Sequence, residues 1–292
     1  MKRRRFQDAS AGYIFVAPFV VSFLLFFLFP SMLSILLSLF RYKGYGKAVF
    51  VGMENYIRLL TYGHFWETVG TTFFYYVAHL VPVFVFPFLI ALLFTLQRTR
   101  FSGFFEAALF IPNIVAVVAS ALLFKILLAT YNGAVNALLG TKIPFLDDPS
   151  IMKLGVVALL IWRGFGWFLV VFLAGLTTVR EELKEAAKID GANFLQTTVF
   201  VTIPVLKPIF LFALVMDLIT SLKVFVEPSL LLATTAGSTV PPQGETIMSI
   251  LYNNMNAGNY GIASAAGWIL FLILSGASIL LFRLFDPAGD RR

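Results

Sequence analysis

The chain has 292 residues, 59% of them hydrophobic and only 13% charged, with a mean hydropathy of +0.89. Soluble domains are roughly 45–50% apolar and about 25% charged, so this excess cannot be hidden in one soluble core, and lipid must be the solvent for much of the surface. The net charge of +7 is scattered between apolar stretches without interleaved aromatics, which excludes a nucleic-acid surface and suits contact with membrane lipid. No cysteine is present, and His64 and His79 are the only histidines, so no disulfide, cysteine nucleophile or metal site is expected.

In chain order, Lys2, Arg3, Arg4 and Arg5 precede an apolar stretch too long for a cleaved leader, which reads as a retained first span. No charge stands between Asp8 and Arg41, placing span 1 at 13–40 with Pro18 and Pro30 inside it, breakers that membrane helices tolerate. Span 2 falls between Glu67 and Arg98. Span 3 is expected as one helix over 104–129, carrying Pro112 and Asn113. Span 4 covers 153–178 with Trp162 and Arg163, and span 5 covers 202–232 with Asp217 and Lys223. Span 6 occupies most of the charge-free stretch between Glu245 and Arg283. Val20–Phe29 is apolar on nearly every face, unlike the alternating strands of a membrane barrel. The expected class is therefore an all-α membrane protein of about six transmembrane helices, organised as a single domain over 1–292.

Lys and Arg near the span ends set the orientation. With the N-terminus in the cytoplasm, twelve of them fall inside, among them Arg98, Arg100, Arg180, Lys184, Lys188, Arg291 and Arg292, against six outside. Both termini are expected to be cytoplasmic.

The stretch 180–201 then becomes a cytoplasmic loop. Residues 180–190 are strong helix formers, and Gly191 is expected to end that helix in a left-handed turn. A second short helix should run to about Phe200, with Pro204 opening span 5 near its first turn. The small side chains of Ala186 and Ala187 would let another protein's backbone approach, and such a helix–turn–helix suits passing force from a soluble partner into spans 4 and 5. An ordinary solvated amphipathic loop is the competing reading.

Glu185-Ala186-Ala187, then Gly191 four residues on, then Val201-Thr202-Ile203-Pro204 after a nine-residue gap, resemble the EAA loop of ABC-importer permeases. Val201 and Ile203 are conservative departures, and the proline spacing is kept. Glu106-Ala107-Ala108 lacks the downstream glycine and proline and is set aside. Asn55-Tyr56, Phe110-Ile111-Pro112-Asn113, Trp162-Arg163-Gly164-Phe165 and Gly261-Ile262-Ala263-Ser264-Ala265 also resemble family patterns. Ile189-Asp190-Gly191-Ala192 points to the carbohydrate branch, the MalF-like or UgpA-like permeases. The resemblance implies the type I importer fold in a bacterial or archaeal plasma membrane. It also implies a second permease subunit, usually a different chain, two ATPase subunits that carry ATP and Mg, and an extracytoplasmic solute-binding protein. Glu185, Ala186, Ala187, Asp190, Gly191 and Pro204 would couple to the ATPase, and disaccharides, oligosaccharides and glycerol phosphates all fit as solutes.

The residues offer no phosphate-binding loop, nucleophile elbow, zinc-protease helix or carboxylate dyad, so no catalytic residue and no cofactor is assigned to this chain. Intramembrane polar residues are functional candidates because each costs several kcal/mol in hydrocarbon. Asn113, Trp162, Arg163, Asp217 and Lys223 are candidates for the substrate path. Arg163 and Asp217 lie at depths that could meet, so an ion pair between them, or contact with a partner permease, competes with a role along the path. Lys223 and Glu227 near the end of span 5 could instead snorkel. Trp162, Phe165 and Trp167 could stack on sugar rings or simply pack. A stand-alone channel or ion-coupled transporter remains the alternative function, and a membrane enzyme or assembly factor a third.

Overall fold

The computed structural model describes residues 2–96, 102–233 and 240–285. Arg98, Arg100, Arg291 and Arg292, which enter the orientation argument, lie outside them. The regular structure among the described residues is helical apart from a short hairpin of two two-residue strands, β1 (Phe40–Arg41) with β2 (Val49–Phe50), paired Phe40 to Phe50 and Arg41 to Val49. The helices are α1 (Lys2–Phe23), α2 (Phe29–Ser38), α3 (Glu54–Thr61), α4 (Gly63–Leu96), α5 (Ser102–Ile114), α6 (Val117–Leu127) and α7 (Ala134–Leu139). They continue as α8 (Met152–Leu176), α9 (Glu181–Ile189), α10 (Phe194–Thr197), α11 (Ile203–Ser221), α12 (Val226–Leu232), α13 (Ile247–Asn256) and α14 (Tyr260–Leu284).

Among the described residues, five continuous helical stretches are long and apolar enough to cross a membrane: Tyr13–Ser38, Gly63–Thr95, Met152–Leu176, Phe194–Ser221 and Tyr260–Leu284. Counting the bent pair of α5 and α6 as one span gives six, in agreement with the expected all-α membrane class.

Two spans depart from expectation, span 3 at Pro112 and span 5 at both of its ends. Span 3 is not one helix: α5 and α6 meet at 96°. Pro112 removes a helical N–H and crowds the carbonyl four residues back, and Ile114, Val115, Val117 and Val118 are β-branched and stiff. The chain leaves the helix, and Ala116, extended at ψ 134°, starts the next one. Span 5 begins earlier than 202 and ends earlier than 232. It runs from Phe194 through a wide turn at Thr198–Thr202 into α11, with the Ile203 N–H reaching back five residues to Thr198. The extra residue relieves the crowding imposed by Pro204. Leu24–Leu28 makes the same wide turn just before Pro30. After Ser221 the helix breaks, and α12 is a separate short element.

The described chain groups into two compact units, 1–62 with 250–269, and 63–249 with 270–292. In the first, every described side chain from Tyr13 to Pro30 is exposed, and the order lies around the hairpin. The buried Asn55 amide donates to the carbonyls of Ser38 at 2.8 Å and Phe40 at 3.0 Å. A Cβ on Gly261 would stand 2.0 Å from the Phe40 oxygen, so only glycine lets the start of α14 approach the hairpin this closely. The Asn55 and Gly261 motifs, about 200 residues apart in sequence, thus serve one joint.

The second unit is built on α4 packed against α8. Phe84, Phe88, Phe168, Phe172 and Phe210 form a cluster of mostly edge-to-face rings, with centroids 5.1 Å apart for Phe84 and Phe172 and 5.2 Å for Phe88 and Phe210, the geometry ring quadrupoles favour. Tyr75, Met152, Val156, Leu159 and Leu231 make a second buried cluster. Gly166 has no room for a side chain, since a Cβ there would lie 2.3 Å from the Leu109 carbonyl oxygen. The backbones of α5 and α8 meet there, as small residues allow between membrane helices.

Candidate functional site

Two places gather the candidate residues. The first is α9 and the turn after it. Glu181 and Glu182 lie in its first turn and Lys188 in its last, matching the helix dipole. Lys184 pairs with Glu181 at 3.0 Å. The helix ends in the geometry expected at Gly191, whose φ is +84°. The Ala192 N–H reaches the Ala187 carbonyl at 2.9 Å and the Gly191 N–H reaches Lys188 at 3.0 Å, a complete Schellman closure. Asn193 then caps α10: its side chain accepts from the Gln196 N–H at 2.9 Å, and the Gln196 side chain accepts from the Asn193 N–H at 2.8 Å, a reciprocal capping box.

No residue of α9 is buried. Glu185, Ala186, Asp190, Gly191 and Pro204 are exposed and Ala187 is half-buried. Ile189 keeps 86% of its surface, Leu195 71% and Phe200 75%. Thr197, Thr198 and Thr202 instead turn inward and are buried. The short helix expected to stop near Phe200 does not stop. It continues without a break into the span, so α10 and α11 form one rod attached to α9 at Gly191.

The second place is a cavity of about 300 Å³ inside the second unit, lined among others by His79, Asn113, Arg163, Trp167, Asp217 and Glu227. It brings together three of the five path candidates, Asn113, Arg163 and Asp217. Lys223 is exposed beyond the end of α11, and Trp162 packs on Phe124 with centroids 5.5 Å apart; neither lines the cavity. The anticipated pairing of Arg163 with Asp217 does not form. Arg163 Nη1 donates to Glu227 Oε1 at 2.9 Å, and Asp217 Oδ1 lies 3.1 Å from His79 Nε2. The break after Ser221 is the reason, because it lets α12 turn Glu227 back to Arg163 rather than out to the membrane surface. Asn113 donates to the Arg163 carbonyl at 3.3 Å, so the break at Pro112 delivers a polar side chain to the cavity wall.

Sequence reasoning missed His79, Glu227, Thr220 and Ser221 as cavity residues. His79 had a readable signal, a titratable group inside an apolar span. Thr220 and Ser221, three and four residues after Asp217, share its helix face. No group of three or more His, Asp or Glu among the described residues could hold a metal.

The fold defines a polytopic membrane protein, with five to six helical spans among the described residues. Residues 62–290 match the family described as the binding-protein-dependent transport system inner membrane component, and the chain belongs to that family as a permease subunit. It is similar to the arabinooligosaccharides transport system permease protein AraP of Bacillus subtilis (strain 168), 30% identical and covering 96% of this chain and 90% of that protein. It also resembles the lactose transport system permease protein LacF of Rhizobium radiobacter, 29% identical over 99% of this chain and 97% of that protein. The trehalose/maltose transport system permease protein MalF of Thermococcus litoralis is 27% identical over 96% and 95% of the two chains. In fold it matches a chain of a bacterial ABC transporter involved in import of the acidic polysaccharide alginate, with TM-score 0.80, 22% identity and coverage of 97% and 98%.

Proposed function

We propose that this permease subunit moves a carbohydrate handed over by an extracytoplasmic solute-binding protein. It works beside a second permease subunit and is driven by two ATPase subunits that hold ATP and Mg. In this reading the chain is one permease domain with both termini in the cytoplasm of a bacterial or archaeal cell, and ATP hydrolysis belongs to another chain. The relatives that carry arabino-oligosaccharides, lactose, trehalose and maltose support the substrate class. The path runs by Asn113, Arg163 and Asp217.

The observation that carries the coupling reading is the exposed α9 joined by a left-handed glycine to a rod that enters the membrane. A partner seated on Glu185, Ala186, Ala187 and Asp190 can tilt α9 about Gly191 and move α11, whose Asp217 lines the cavity. The test is ATP-driven sugar uptake, and ATPase stimulation by loaded binding protein, in vesicles holding the assembled complex. Gly191→Val and Glu185→Lys should each cut stimulated uptake by about tenfold or more, within the usual range of coupling energies, with helix content by circular dichroism unchanged. Normal uptake by both variants would end the coupling reading.

A further inference from the structure

A cluster of titratable groups stands apart from the cavity, where α4 begins. His64, in the first turn of α4, touches two carboxylates at once: Nε2 lies 2.7 Å from Glu245 Oε2, and Nδ1 lies 3.0 Å from Glu67 Oε2. The His64 and Glu245 side chains are 19% and 13% exposed, whereas that of Glu67 is 74% exposed. Glu245 is the one charged residue of a strap, 242–247, that opens with the turn Pro242–Gly244 and leads into α13. All these residues belong to the second unit. The strap lies along α4. The Ile247 N–H donates to Thr72 Oγ1 at 3.1 Å, the Tyr75 hydroxyl to the Gly244 carbonyl at 3.3 Å, and the Thr71 hydroxyl to the Gln243 carbonyl at 3.4 Å. On its other side the Thr246 hydroxyl donates to the Val224 carbonyl at 2.8 Å, and Val224 lines the cavity. The strap thus braces the cavity wall from α4.

The contacts at His64 turn on one proton. A neutral imidazole has a single N–H, and an ionised carboxylate only accepts. Both ring nitrogens face carboxylate oxygens, so a neutral ring satisfies one contact and sets a lone pair against the other. The imidazolium donates to both, and a charge-assisted bond is roughly twice as strong as a neutral one. Loss of the proton also leaves Glu67 and Glu245 as like charges on either side of an uncharged ring, which repel. Lys153 of α8 is the other charged group here. Its Nζ donates to Thr71 Oγ1 at 3.0 Å, one turn along α4 from Glu67, and it acts on that carboxylate electrostatically.

We infer that His64 is a proton-operated clasp, which grips Glu245 and Glu67 as imidazolium, holds the strap 242–247 against α4 in acid and releases it in alkali. An imidazole in ordinary surroundings changes charge at about pH 6.5, so the clasp works within the range a cell meets. In the orientation proposed above, α4 begins outside the cytoplasm, and external acidity sets the clasp. That side assignment rests on the proposed orientation; the clasp itself does not.

The test is amide hydrogen exchange, read by mass spectrometry, on the assembled complex in nanodiscs, where one buffer bathes both faces. Exchange is compared at about pH 5.5 and about pH 8, either side of the imidazole titration, after correction for the intrinsic pH dependence of exchange. Amides 244–247 should open about fivefold more readily at the higher pH, the difference between a neutral and a charge-assisted bond, while Phe194–Thr197 of α10 keeps one rate. His64→Gln, uncharged at every pH, should hold the strap at the loosened rate throughout. Glu67→Gln alters only an exposed carboxylate and should cut the wild-type ratio from about fivefold to about twofold. Equal strap exchange at both pH values in the wild type, a full pH ratio in His64→Gln, or an equal shift at Phe194–Thr197 overturns the inference. Should His64→Gln open the whole second unit, Glu67→Gln decides, and an unchanged ratio there overturns the clasp. Sugar uptake is not part of the readout, so failure of the clasp leaves the transport reading standing.

Discussion

The hinge at Gly191 and the cavity around Arg163 are built from opposite kinds of information. The hinge is local: every bond that shapes it joins residues within five positions of one another, from Ala187–Ala192 to Asn193–Gln196. The cavity is non-local: its two polar side-chain pairs join residues 64 and 138 positions apart, on α8 with α12 and on α4 with α11. A local device tolerates drift in the rest of the fold. A paired cavity does not, because a charge whose partner moves away is stranded in an apolar wall. The cavity should therefore be where substitutions cost stability, and the hinge where they cost coupling.

The largest effect should come from stranding Arg163. Glu227→Leu leaves the guanidinium in a site where its side chain is 23% exposed, and should destabilise the complex by about 3 kcal/mol, the low end for a broken buried pair. The double variant Arg163→Met, Glu227→Leu should recover most of that loss, as apolar replacements of whole pairs often do. Thermal or denaturant unfolding of the purified complex reads both. If the single variant is neutral, the pair is solvated and the contrast between cavity and hinge fails.

Next comes the joint of α5 with α8. Gly166→Ala forces a methyl toward the Leu109 carbonyl oxygen, 2.3 Å from an ideal Cβ. Backbone on both sides leaves no rotamer to give way. The helices must part, at a cost of about 1–3 kcal/mol, and α5 carries Asn113 with it. Gly164, two residues earlier, meets only Val83 at 3.5 Å, so Gly164→Ala should be nearly neutral. Equal effects at the two glycines would argue against close backbone packing as the cause.

The same division governs what could be read from the sequence. Charge-free stretches located the apolar spans, and a glycine followed by a spaced proline located the loop, because helix formers, caps and breakers act on their neighbours. The 96° break between α5 and α6 was half legible: Pro112 was visible, but a proline alone equally well makes a mild kink. The partners of Arg163 and Asp217 were not legible. Depth along two spans says that side chains lie at similar heights, not which faces meet, and that depends on the helix break after Ser221. The same break brought Glu227 inward, where a position near the end of a span had suggested an outward, snorkelling side chain.

The smallest effect separates two parts of the hinge that the sequence runs together. Asn193 does not form the turn; it caps the helix that follows. Asn193→Ala removes the acceptor for the Gln196 N–H and should cost about 1 kcal/mol, the usual value for a lost N-cap. The φ of +84° at Gly191 is untouched by that change. The start of the rod should then fray, seen as faster amide exchange at Phe194–Thr197, while stimulated uptake falls only about two- to threefold. Gly191→Val acts on the turn itself, where a β-branched residue is strained in the left-handed region, and should cost far more coupling. If Asn193→Ala uncouples as severely as Gly191→Val, force enters the membrane through the capped end of the rod, and the glycine serves only to reverse the chain.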